Sequence, residues 1–240
     1  MNERTNGKAE ILSWRKIEKK HEEFLKKEPR ECAYKIAKEC IDKYWREGEI
    51  PDENLDKITD AILTFLFLWN SAFYRTCIFE EKFKENFIEN IKINIKNNKK
   101  KLSHFRGKCI CELNISDKNN IKDLYESFSE VLGCKKKVKG NKNSTKIIQS
   151  PVSTAKFLHI ICPNFFPLWD DKIAKRYGCY WGKSEFSFES YWEYMVKVKE
   201  QINNIEGTKS KKMKEFLKEY TILKLIDEYN YMSYTKGIKQ

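Results

Sequence analysis

Apolar residues recur every three or four positions along most of this chain, the spacing of a helix that turns one face to a core. Positions 9–27 carry Ile11, Leu12, Trp14, Ile17, Phe24 and Leu25 in a charged background, and Pro29 then stands where a new helix can begin. Positions 32–46 continue with Ala33, Ile36, Ala37, Cys40, Ile41 and Trp45. After a loop reading EGEIPDEN, in which Asp52 or Asn54 is placed to cap, positions 55–75 are apolar on most sides and predict the central buried helix. Further helices are predicted over 80–101, 120–132, 153–162, 184–205 and 210–232, with Gly133 at a C-terminal cap and a short helix from 171 to 177. Positions 108–115 read as a short strand or an irregular link, 135–146 as a basic loop, and the tail from Ser233 as frayed. The fold class expected is all-α, with about nine helices and no internal repeat.

The length, 240 residues, fits one large domain or two closely joined lobes. Charged residues make up 34% of the chain in mixed sign, and hydrophobic ones 40%, which excludes a disordered composition. Lys and Arg outnumber Asp and Glu by 47 to 35, so a polyanion is the expected partner: nucleic acid first, an anionic membrane surface second. The abundance of Lys, Ile and Asn also matches an AT-rich genome, which accounts for part of the charge without any partner. The start is polar, unlike a signal peptide, and the most apolar run, 61–73, is well short of the roughly 20 residues of a membrane span. A cytoplasmic, soluble protein is expected. Eight cysteines are scattered without any C-x-x-C, and Cys109 with Cys111 forms a lone C-x-C. They read as free thiols or small buried apolar residues, with no metal site and no cofactor.

One stretch carries chemistry. Residues 152–178 read VSTAKFLHIICPNFFPLWDDKIAKRYG: an apolar helix, two prolines among large apolar side chains, then Asp170 and Asp171 before a short basic helix. Taken alone, Asp170 is an ordinary helix N-cap, and Asp171 a neighbour favoured by the helix dipole. His159, within the apolar helix, reads as a core histidine.

The segment resembles the helix-hairpin-helix superfamily of base-excision DNA glycosylases. The likeness rests on Ser153-Thr154-Ala155, on Pro167, and on Asp170-Asp171-Lys172-Ile173. The glycine turn of that family's hairpin is missing from IIQSPVST, and no four-cysteine cluster motif follows the acids. The resemblance implies two helical lobes around a cleft, one from 51–162 and the other from 1–50 with 163–240. It puts the catalytic carboxylate on Asp170. Ser153 stands where members that also nick the backbone carry a nucleophilic lysine, which implies a monofunctional enzyme, with Lys156 as the alternative nucleophile. An extruded base needs a stacking and hydrogen-bonding pocket, for which Trp169, Trp181, Tyr180, Trp69 and Asn70 are the candidates. Lys135, Lys136, Lys137, Lys139, Lys142, Lys146, Ser153 and Thr154 are the candidate DNA contacts. The implied function is excision of a damaged or modified base from double-stranded DNA by a monomer, in repair or in phage defence against modified cytosine. The competing reading is a basic helical DNA-binding protein without enzymatic activity.

Overall fold

The structure is a computed structural model that describes residues 11–45, 50–138, 141–180, 182, 187–205 and 211–236, apart from the side chains of 81–83, 141–143 and 211–214. It is mostly helical, with one two-stranded sheet among the described residues. No helix there is long and apolar enough to cross a membrane. The chain divides into two compact units, each discontinuous in sequence. Unit 1 takes residues 1–29, 108–118 and 163–240, and unit 2 takes 30–107 and 119–162. The divisions therefore fall at 29/30 and 162/163, with a short return at 108–118, where the sequence put boundaries at 50/51 and 162/163.

Unit 2 contains α2 (Glu31–Tyr44), α3 (Leu55–Trp69), the single turn α4 (Ser71–Tyr74), α5 (Glu81–Arg106), α6 (Lys118–Val131, from its second residue), the strands β1 (Cys134–Val138) and β2 (Asn141–Ile148), and α7 (Pro151–Ile161). Its core gathers Ile58, Ile62, Phe65 and Leu66 of α3, Ile91 and Ile95 of α5, Leu124 and Phe128 of α6, and Phe157 and Leu158 of α7, all buried. Phe128 stacks on Phe157 at 4.2 Å. The helix expected over 55–75 breaks at Asn70, whose backbone (φ −128°, ψ 36°) leaves the helical region. Asparagine favours such breaks because its amide can bond nearby groups in place of continuing the ladder.

The stretch expected to be a basic loop is instead an antiparallel hairpin. Lys135 faces Ile147, Lys136 faces Lys146 and Lys137 faces Thr145, with an irregularity at Val138. Val138, Thr145, Ile147 and Ile148 are β-branched, and that preference prevails over the lysine content. Cys77 and Cys134 form a disulfide, Cα atoms 5.6 Å apart, where free thiols or small buried apolar residues were expected. With the bond from Ile78 N–H to the Lys135 carbonyl (2.9 Å), it ties the start of β1 to the segment after α4.

Unit 1 contains α1 (Trp14–Lys27), two 3-10 turns at Ile110–Glu112 and Ile115–Asp117, α8 (Asp171–Arg176), α9 (Phe188–Asn203), α10 (Lys211–Glu219), α11 (Ile222–Asn230) and a π-helical turn, Tyr231–Lys236. The 3-10 turns stand where a strand or link was expected. The single helix expected over 210–232 is two, because the Thr221 hydroxyl accepts from Lys224 N–H and caps a new start. The core joins Leu12, Trp14 and Ile17 from the N-terminal end to Ile205, Tyr220, Leu225, Ile226 and Tyr229. Within it lie His21, Lys224 and Glu228, all buried. Glu228 meets His21 Nδ1 through one oxygen, and its other oxygen lies 3.1 Å from Lys224 Nζ at angles outside those of a hydrogen bond. The Lys224 ammonium also sits 4.5 Å over the Phe24 ring.

Candidate functional site

In unit 1 Pro163 and Pro167, which lack an N–H and clash with the preceding turn, keep 163–169 from continuing a helix, so the chain runs irregularly into α8. Two tyrosines one turn apart on α9 hold that run. Tyr191 donates its hydroxyl to the Pro167 carbonyl and Tyr194 to the Leu168 carbonyl, each at 2.8 Å. Burial above all holds the Tyr194 phenol well above its usual range, so it remains a donor. Trp169 is 1% exposed, stacked on Tyr194 (5.5 Å) and edge-on to Tyr191 (5.1 Å). The base-stacking role expected of Trp169 is therefore corrected: its indole is part of the core under the loop.

Asp170 follows, half-buried, as the N-cap of α8. Its Oδ1 accepts from Lys172 N–H (2.9 Å) and Ile173 N–H (2.8 Å), and its Oδ2 from the Thr235 hydroxyl (2.8 Å). A carboxylate offers about four lone-pair sites, and among the described residues three donors fill three of them. Lys172 Nζ also reaches the Thr235 carbonyl at 3.1 Å, so the π-helical turn is fastened to α8 twice. The tail expected to fray from Ser233 is thus ordered through Lys236, and Thr235 is a site residue that sequence reasoning missed. Asp171 points to Lys175 (3.6 Å), and Lys175 lies 4.4 Å over the ring of Tyr180, which is exposed. Trp181 lies outside the described residues. Gly178 closes α8 at φ 69°, a left-handed value that glycine takes without a Cβ clash.

In unit 2 the remaining candidates fall into two groups. Asn70 donates Nδ2 to Ser153 Oγ (2.7 Å) and to Ser150 Oγ (3.1 Å). Ser150 caps α7 by accepting from Ser153 N–H, and the Thr154 hydroxyl donates to the Ser150 carbonyl. Ser153 and Thr154 have no exposed surface. They are corrected as DNA contacts: both hydroxyls are spent inside the unit. Trp69 is buried, its indole N–H on the Arg30 carbonyl and the Arg30 guanidinium 5.1 Å over its ring. Lys156 donates its ammonium to the Trp69 carbonyl, and His159 is buried on the Tyr34 hydroxyl. The Asn70 amide therefore organises the α3–α7 junction. Asn70→Ala should lower the unfolding free energy by about 1–3 kcal/mol, since it strips a shared donor from buried hydroxyls. Urea denaturation measures this, and a loss under about 0.5 kcal/mol, the scale of ordinary surface substitutions, would show the amide to be free of that task.

The lysines of the hairpin differ among themselves. Lys135 pairs with Glu80 at 3.0 Å. Lys136 donates to the Phe73 carbonyl and the Thr76 hydroxyl and sits 3.8 Å from the Phe73 ring centre, where burial pushes its pKa down. Lys137 and Lys146 are exposed. Lys139 lies outside the described residues, as does the side chain of Lys142. A lysine-rich surface remains on this hairpin, but Lys135 and Lys136 serve the unit first.

Among the described residues no three or more His, Cys, Asp or Glu side chains converge to hold a metal ion. No known protein family, curated protein or solved structure matches the chain.

Proposed function

We propose that the chain is a monofunctional DNA N-glycosylase, which excises a damaged or modified base from duplex DNA and leaves an abasic site. The observation that carries this reading is the Asp170 carboxylate: three donors orient it, one fewer than its about four lone-pair sites, counted among the described residues. In base excision the bond between sugar C1′ and the base nitrogen breaks while positive charge grows on the sugar. A fixed carboxylate stabilises that charge and can accept a proton from the attacking water, whose oxygen bonds to C1′; the departing base takes up a proton. The excess of Lys and Arg over Asp and Glu supplies the general attraction for phosphates. Lys156, with its ammonium on the Trp69 carbonyl, is engaged in packing, which favours hydrolysis over a Schiff-base route.

The test is an incubation of the protein with duplexes that each carry one modified base, oxidised and alkylated purines, mismatches and glucosylated hydroxymethylcytosine among them. Strand breaks that appear only after alkali are the expected result. Breaks without alkali would point to lyase chemistry and return attention to Lys156.

A second reading, a DNA-binding protein without catalysis, is favoured by one observation. Asp170 has structural work as a helix cap and as the acceptor from Thr235, and Trp169, Ser153 and Thr154 are internal. It expects salt-sensitive DNA binding and no product from any duplex of the panel.

A further inference from the structure

Unit 2 carries a second surface with its own chemistry, separate from Asp170. A groove of about 580 Å³ runs along α5, walled on its other side by α6 and by Ile147 of β2. Four asparagines of α5 line it, Asn86, Asn90, Asn94 and Asn97, at steps of four, four and three residues, so they share one helix face. Asn94 is employed in the fold: it donates to the Ser127 carbonyl at 2.8 Å and accepts from Asn98 at 2.6 Å. Asn86, Asn90 and Asn97 are exposed, and their amides make no hydrogen bond among the described residues. Large aliphatic side chains stand beside them with much of their surface open, Ile93 at 48% and Ile147 at 64%. Glu130 is the one charged residue among those that line the groove.

From this geometry we infer that the α5 groove binds an extended peptide segment of a partner protein by its main chain. A side-chain amide carries a donor and an acceptor side by side, which matches the N–H and C=O that one residue of an extended strand turns to the same side. Four helical residues advance ~6 Å, and two residues of an extended strand advance ~6.7 Å, so Asn86 and Asn90 meet the N–H and C=O of alternate residues on the same side of the strand. The aliphatic side chains take the alternate residues of such a strand, and Glu130 takes a Lys or Arg. Other polar ligands fit less well. Among the described residues no Lys or Arg lines the groove to hold phosphate, and its one aromatic, Phe87, is buried and offers no face to a base or a sugar ring.

The experiment uses the full chain and a positional-scanning set of fluorescein-labelled nonapeptides. These have Ile, Val or Leu at alternate positions and one fixed Lys, and are read by polarisation. The side-chain amide signals of a 15N-labelled sample are followed in parallel. A (dT)9 oligonucleotide and maltohexaose are the comparison probes. The inference expects saturable binding by members of the peptide set, shifts of the Asn90 and Asn97 amide signals, and at least tenfold weaker binding in N90A and N97A. Both residues are exposed, so their replacement leaves the fold intact, as circular dichroism would verify. Silence across the peptide set, equal affinity in both variants, or movement of these amides by the oligonucleotide or the sugar alone would overturn it.

Discussion

Asp170→Asn is expected to cut abasic-site formation by about 10²–10³-fold while leaving the unfolding free energy within about 0.5 kcal/mol of the wild type. The two halves of that expectation have different physical sources. Asparagine caps a helix about as well as aspartate, and its Oδ1 can keep the bonds from Lys172 and Ile173 N–H. Its Nδ2 replaces the oxygen that accepts from Thr235, so the negative charge and that acceptor both vanish. Asp170→Ala is the contrasting variant, since it also loses the cap, at about 1 kcal/mol. Thr235→Val gives a third readout, because it removes only the hydroxyl that positions Oδ2. A drop in turnover with intact DNA binding would mark Thr235 as a positioning residue. If Asp170→Asn keeps full activity on a substrate that wild type excises, the carboxylate is a helix cap and the glycosylase reading loses its main support.

The second large effect concerns stability. Glu228→Gln is expected to cost about 3–5 kcal/mol, enough to unfold a domain of ordinary stability in part. The Lys224 and Glu228 side chains are 1% and 0% exposed, so the substitution removes the carboxylate charge that lies between a buried ammonium and His21. The Phe24 face beneath Lys224, 4.5 Å from the ammonium, is present in both forms and so does not offset the lost charge. A double variant, Lys224→Met with Glu228→Gln, should recover much of the stability, because both charges of the buried pair leave together and no ammonium stays behind. Guanidinium titrations of the two variants check this. A cost below about 1 kcal/mol for Glu228→Gln would mean that water reaches the pair.

Much of the helical plan was legible in the sequence, because buried stripes such as Ile58–Ile62–Phe65–Leu66 repeat at the helical period. What the period could not convey was where a helix stops for a polar reason. The breaks at Asn70 and Thr221 depend on partners near them in space or on a capping hydroxyl, and both fall inside apolar runs. The hairpin was hidden because lysine is poor in strands on average, while its β-branched neighbours decide the pairing. At the candidate site, Asp170 was visible as an acid before a helix. Thr235, Tyr191 and Tyr194 were not, since each acts on a group 24–65 positions away. The burial of Trp169, Ser153 and Thr154 was likewise out of reach, because a tryptophan or a hydroxyl beside a motif looks the same whether it faces solvent or core.

The interrupted path of the chain has a consequence for synthesis. The bond between His21 and Glu228 spans 207 positions, so α1 leaves the ribosome long before α11 exists. At ~5–20 residues per second that interval is roughly 10–40 s, time in which α1 has an amphipathic face and no partner for it. Unit 2, complete by residue 162, has its whole sequence available earlier. A ribosome stalled after residue 200 should therefore carry a protease-resistant unit 2 and a protease-sensitive α1.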